Sequence, residues 1–131
     1  MIEKNIAKIK KLPSRELGFW GESLAIEFLI SEGHKIIDRN WYNSNLGELD
    51  IISEHNNQIV FTEVKTRRNI KTGQPFEAVT VSKYHQIYKL GQSWKKMHKI
   101  NQVSRIDIIG ITILDKIKIK YQPNFIAYKY Y

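Results

Sequence analysis

Residues 47–65 read Gly-Glu-Leu-Asp-Ile-Ile-Ser-Glu-His-Asn-Asn-Gln-Ile-Val-Phe-Thr-Glu-Val-Lys. Two runs rich in Ile, Val and Phe flank a short polar segment, the pattern of a β-hairpin. Successive strand side chains point to opposite faces, so in the first run, residues 46–53, Glu48, Asp50 and Ile52 share one face. In the second run, residues 59–66, the same period puts Phe61, Glu63 and Lys65 on one face and Val60, Thr62 and Val64 on the other. Between them, His55-Asn56-Asn57-Gln58 holds two Asn, which tolerate the positive φ of a tight turn. Antiparallel pairing across that turn brings Asp50 near Glu63.

Carboxylates crowded on one sheet face raise each other's proton affinity unless something positive sits among them. A divalent cation is the simplest remedy, and hard oxygen ligands suit magnesium, which also leaves room for phosphate oxygens. Lys65 then has a chemical role, because its ammonium can orient or deprotonate an attacking water, or stabilise charge building on a phosphate. On the Glu-x-Lys triplet alone, an ordinary hairpin with a solvated charged face is the commoner explanation.

The wider pattern changes that balance. Gly18-x-x-Gly21-Glu22-x-x-Ala25, Arg39-Asn40-Trp41, Gly47-Glu48-Leu49-Asp50, Phe61-x-Glu63-Val64-Lys65-Thr66-Arg67, Lys83 and Arg105-x-Asp107 follow one another in the chain. This order resembles the PD-(D/E)XK nuclease superfamily, of restriction-endonuclease-like fold, and within it the bacterial YraN-like family, which is similar in fold to Holliday junction resolvases. The resemblance spans about residues 15–111, with Glu48 standing where the superfamily name has Pro. It implies metal-dependent cleavage of nucleic acid with Mg2+ or Mn2+, catalytic roles for Asp50, Glu63, Lys65 and Glu22, and metal ligation by Asp50, Glu63, Glu22 and Glu48. Glu22 enters because related resolvase-like nucleases bring an acidic residue from the first helix to the metal.

A chain of 131 residues, 42% hydrophobic and 26% charged, fits one globular domain. With no Cys, disulfides and thiolate zinc sites are excluded, which fits a reducing compartment. No apolar run is long enough to span a membrane, residues 1–12 lack the features of a secretory signal, and the cytoplasm is the expected location. A formal net charge of +8 points to a polyanionic partner, for which nucleic acid is the commonest choice.

Elsewhere in the chain, residues 1–13 read as a basic arm, helical or flexible, with Lys4, Lys8, Lys10 and Lys11. Ser14 is the expected N-cap of a helix closed by Gly33, with Leu17, Trp20, Leu24, Phe28 and Leu29 inward and Glu22 at the edge of the apolar face. Residues 34–41 read as a strand, and Trp41 and Tyr42 as aromatics at its end that either pack or stack on bases. The basic loop 67–75, with Arg67, Arg68 and Lys71, is the expected phosphate-binding loop. A second helix is expected from Ser82 to about His98, with Ile87, Leu90, Gly91, Trp94 and Met97 inward. Lys83 opposes the helix dipole in its first turn, which implies a nearby anion, either a site carboxylate or substrate phosphate. The four histidines read as surface residues.

Residues 104–114 form a buried strand in which Asp107 needs a partner such as Arg105, while 116–121 read as a lysine-guarded edge strand and 125–131 as a last strand. The expected architecture is a single-domain α/β sandwich over residues 1–131, a mixed central sheet flanked by helices. The expected function is hydrolysis of phosphodiester bonds, with DNA favoured and branched, Holliday-junction-like DNA included. A catalytically silent nucleic-acid-binding domain on the same fold is the alternative, and whether the chain forms a homodimer is left open.

Overall fold

In the computed structural model, which describes residues 5–71, 75 and 79–127, the chain enters the sheet as β1 (Lys35–Asn43) and continues into the hairpin β2 (Gly47–His55) and β3 (Gln58–Arg67). Strands β2 and β3 pair from His55↔Gln58 to Ile51↔Thr62. Asn56 and Asn57 take φ of 50° and 62°, the left-handed geometry that lets a two-residue turn follow the twist of its strands. A parallel neighbour of β3 requires a crossover, and α3 (Val81–Met97) supplies it before β4 (Ser104–Ile113). Strand β5 (Ile117–Gln122) returns antiparallel to β4. Among the described residues, five strands therefore form one mixed sheet in the order β1-β2-β3-β4-β5, within a single small α/β domain.

Alternation along β4 divides the core. Ile109, Ile111 and Ile113 pack with Ile51, Val64 and the inward residues of α2 (Ser14–Ser31), namely Leu17, Trp20, Leu24, Ala25 and Leu29. Ile106 and Ile108 face the other way, with Leu49, Ile52, Ile59, Phe61 and Ile87, Leu90 and Trp94 of α3. Burying an aliphatic or aromatic side chain contributes about 1.5–3 kcal/mol, so these two layers hold the helices on opposite faces. Gly91 lets α3 close on the sheet: a Cβ there would lie 2.5 Å from the Phe61 ring.

Several expected boundaries shift. Ser14 is inside α2, not its cap; the cap position is Pro13, with no side-chain hydrogen bond. Thr80, not Ser82, caps α3, its Oγ1 accepting from Lys83 N–H at 3.1 Å. Met97 is largely exposed, because α3 ends there and the chain turns away through Lys99 at φ 54°. Residues 5–12 are docked on the sheet layer, not a free arm: α1 (Ile6–Lys10) buries Ile9 completely, and Arg68 Nη1 donates to the carbonyls of Lys10 at 2.7 Å and Leu12 at 3.0 Å. Residues 125–127 are not a strand, although Phe125 N–H donates to Ile106 O at 2.7 Å. The rest of that expected strand, 128–131, lies outside the described residues, as do Lys4 and parts of the basic loop. Among the described residues no helix is long and apolar enough to cross a membrane.

Candidate active site

Helix α2 approaches β3 closely at Gly21, where a Cβ would come within 1.9 Å of Thr66 Oγ1. Only a residue without a side chain fits, and the next residue, Glu22, is thereby carried down to the sheet. Strand β2 meets it from below. Its pairing with β3 stops at Ile51↔Thr62, and one residue further on Asp50 Oδ2 accepts the Val64 N–H at 2.9 Å. The side chain thus replaces a ladder carbonyl and satisfies a main-chain donor that burial would otherwise strand. Strict alternation is broken at this point: Leu49 and Ile52 lie in the α3 layer while Ile51 lies in the α2 layer.

Asn40 makes the break possible. It falls between the pairs Arg39↔Ile51 and Trp41↔Leu49 with φ 53°, a left-handed residue inside a strand. Such a kink costs energy and is tolerated by Asn better than by most residues. Its Nδ2 donates to Glu22 Oε1 at 2.9 Å and to Glu48 Oε1 at 3.0 Å, tying the helix carboxylate to the strand carboxylate. As a result one oxygen each of Glu22, Glu48 and Asp50 lies within 4.8 Å of the others. Arg39 Nη2 stands 3.5 Å from Glu22 Oε1.

Glu63 lies beside this cluster with its carboxylate buried between two ammonium groups, Lys65 Nζ at 3.3 Å and Lys83 Nζ at 3.5 Å from the same Oε2. The anion that Lys83 required is therefore a site carboxylate. Burial pushes the Asp50 carboxyl well above the usual range, and the negative charge of Glu63 pushes it further, against the favourable Val64 N–H bond. Burial also raises Glu22, helped by the charge of Glu48 and opposed by Asn40 and Arg39. Both shifts show that burial disfavours the charged form of these carboxyls, and at Asp50 the neighbouring Glu63 adds to it. A hard divalent cation suits a donor set made of carboxylate oxygens, so the residues present fit magnesium or manganese.

The expected phosphate contacts lie in different surroundings. Arg67 lines a cavity of about 450 Å³ together with Glu22, Gly18, Val64 and Asn69, and among the described residues its buried Nε has no hydrogen-bond partner. Arg68 lines the same cavity, yet its Nη1 is engaged by the carbonyls of the N-terminal segment. Lys71 is exposed at the edge of the loop, its N–H held by Asn69 Oδ1 at 2.9 Å. Trp41 packs against the α3 layer, whereas Tyr42 is exposed. Asn40 and Arg39 are the site residues that periodicity could not assign. Their sequence signal is three polar residues, Asp38-Arg39-Asn40, interrupting an otherwise apolar strand.

At the opposite end of β3 and β4 lies a second buried polar group. Asp107 is fully buried and accepts from Arg105 Nε at 3.0 Å, Arg105 Nη2 at 3.3 Å, Tyr121 Oη and Asn124 N–H at 2.9 Å. This is the structural ion pair that a carboxylate among isoleucines requires. His34, expected at the surface, is buried here, stacked on His55 with ring centroids 4.2 Å apart and its Nδ1 2.8 Å from Ser53 Oγ.

Comparison with known proteins places this framework. A family model described as uncharacterised protein family UPF0102 matches residues 21–111, from the close-approach glycine into β4. A UPF0102 protein of Clostridium novyi is 40% identical over 114 residues, covering 86% of this chain and 93% of that relative. Those of Paenarthrobacter aurescens and Caldicellulosiruptor saccharolyticus are 41% and 42% identical, covering 72% and 74% of this chain and 78% and 82% of the relatives. The chain belongs to the UPF0102 family.

Proposed function

We infer that this UPF0102 protein is a metal-dependent nuclease that hydrolyses phosphodiester bonds in nucleic acid, with DNA as the expected substrate. The observation that carries this reading is the convergence of Glu22, Glu48 and Asp50 within 4.8 Å beside the Glu63–Lys65 pair. Mg2+ or Mn2+ held there by Asp50, Glu22 and Glu48, with Glu63 alongside, would supply Lewis-acid polarisation of the phosphate and a more acidic water. The protein's own groups do the rest. Lys65 Nζ, partly exposed and paired with Glu63 at 3.3 Å, is the group that would donate a hydrogen bond when negative charge builds on the phosphoryl oxygens. Lys83 holds Glu63 from the other side, so the carboxylate stays fixed when Lys65 turns toward substrate. Arg67 lines the cavity that opens on Glu22, where its guanidinium charge would attract the adjoining phosphate. Asn40 fixes the spacing of Glu22 and Glu48 and takes no part in proton transfer.

The test is binding of Mn2+ to the purified protein by calorimetry, alongside cleavage of single-stranded, duplex, flap and four-way-junction DNA with either metal. The expected result is saturable binding that Asp50→Ala abolishes, and metal-dependent nicking of at least one substrate. Absence of both would favour a catalytically silent nucleic-acid-binding domain.

A further inference from the structure

The cluster opens into a second cavity of about 420 Å³, lined by Ser14, Arg15, Gly18, Phe19, Glu22, Asn40 and Glu48. Arg15, Gly18, Phe19 and Glu22 stand at i, i+3, i+4 and i+7 of α2, so one stripe of the helix presents a cation, an open space, an aromatic ring and a site carboxylate in order. The rise from Arg15 to Glu22 is about 10 Å. Gly18 is what leaves the space, since a Cβ there would meet nothing within 4 Å. Phe19 is 56% exposed and lines this cleft beside the charged groups of Arg15, Glu22 and Glu48.

The ring is nevertheless held. The Arg39 guanidinium lies 4.0 Å from its centroid, and that guanidinium is itself fixed by Phe19 O at 3.2 Å, Ser23 Oγ at 3.1 Å and Glu22 at 3.5 Å. Arg39 does not need the ring for its position, because three polar contacts already set it. What remains is a pre-oriented, half-open aromatic surface beside the carboxylates and within reach of a cation. A nucleobase stacks on such a surface, and the cation takes its phosphate. Bases inside a continuous duplex have both faces covered by their neighbours and cannot do this.

Building on the nuclease reading of the same site, we propose that Phe19 is a stacking platform for an unpaired nucleobase next to the scissile phosphate, so that the substrate class is nucleic acid with a single-stranded element at the cleavage point. Arg15 holds the backbone phosphate of that nucleotide. A blunt, continuous duplex lacks the stacking contact and binds through phosphates only.

The experiment uses a duplex carrying a short overhang with 2-aminopurine as its unpaired base, compared with a blunt duplex of equal length, both without metal. Wild-type protein should quench the 2-aminopurine fluorescence on binding. Phe19→Leu should abolish the quench and weaken overhang binding roughly five- to hundredfold, leaving blunt-duplex affinity within about twofold. The salt dependence should be unchanged in Phe19→Leu and shallower by about one ion in Arg15→Ala. Equal loss on both duplexes, no loss on either, or a reduced salt slope in Phe19→Leu would overturn the proposal. Because this readout needs no cleavage, quenching that depends on Phe19 without any metal-supported cleavage would sink the nuclease reading and leave the stacking intact. Cleavage with no dependence on Phe19 would do the reverse.

Discussion

Asp50 combines two functions that oppose each other. Its Oδ2 completes the sheet by taking the Val64 N–H, and its charge sits buried beside Glu63 and Glu22. Asn at this position keeps the acceptor and removes the charge, so Asp50→Asn should raise the melting temperature of the metal-free protein by a few degrees, corresponding to about 1 kcal/mol, and eliminate the further rise on adding Mn2+. The pH dependence follows from the direction of the shifts. Asp50 and Glu22 have raised folded-state proton affinities, so between the ordinary carboxylate range and their folded values the native state binds more protons than the unfolded one. Their contribution to stability is full below the ordinary range and is lost as pH rises through the folded values. Metal-free wild type should therefore lose more stability than Asp50→Asn as pH rises from about 4 to neutrality, measured by urea unfolding. Arg67 and Arg68 separate in the same way. Arg67→Ala should make nucleic-acid binding less salt-dependent by about one ion at unchanged stability. Arg68→Ala should cost about 1–2 kcal/mol of stability by freeing two carbonyls, and leave the slope alone.

At the scale of elements, the site is where three of them are each locally irregular. Helix α2 touches β3 at Gly21, β1 kinks at Asn40, and β2 leaves its partner after Ile51. Gly21→Ala should push α2 off β3 at a cost of about 1–3 kcal/mol and weaken metal binding by displacing Glu22, whereas Gly18→Ala should not change the fold. Regular features were legible in the sequence for the same reason that irregular ones were not. The Asn-Asn turn, the split of Phe61, Glu63 and Lys65 from Val60, Thr62 and Val64, and the inward residues of α2 follow from fixed periods of 2 and 3.6. So did the Arg105–Asp107 pair, because a carboxylate amid isoleucines has few other ways to be stable. The left-handed Asn40 and the broken alternation at Asp50 obey no period and depend on tertiary contacts, so Leu49 ended on the face that simple alternation gives to Ile52. The hold of Arg68 on the carbonyls of Lys10 and Leu12 was not legible, because a basic loop looks the same in sequence whether or not it also binds a distant segment.

At the scale of the whole molecule, the sheet carries two polar centres of opposite pH behaviour at its two ends. Burial, with the His55 ring beside it, lowers His34 to about 4 from an ordinary value of 6.5. A lowered histidine contributes stability that is present above 6.5 and lost as pH falls through 4, so His34→Gln should flatten the acid limb of the stability profile. The carboxylate end behaves in the opposite sense, losing stability as pH rises, and bound Mn2+ should flatten that loss. The chain's formal net charge of +8 favours association with a polyanion. In the proposed phosphodiester cleavage, Lys65 is the group that responds to transition-state charge. The most direct measurement is single-turnover cleavage of a labelled DNA by wild type and Lys65→Ala at saturating protein and Mg2+. The rate should be lower by about a hundredfold or more in Lys65→Ala, with Mn2+ and DNA affinities little changed. Cleavage by Lys65→Ala at the wild-type rate would contradict it.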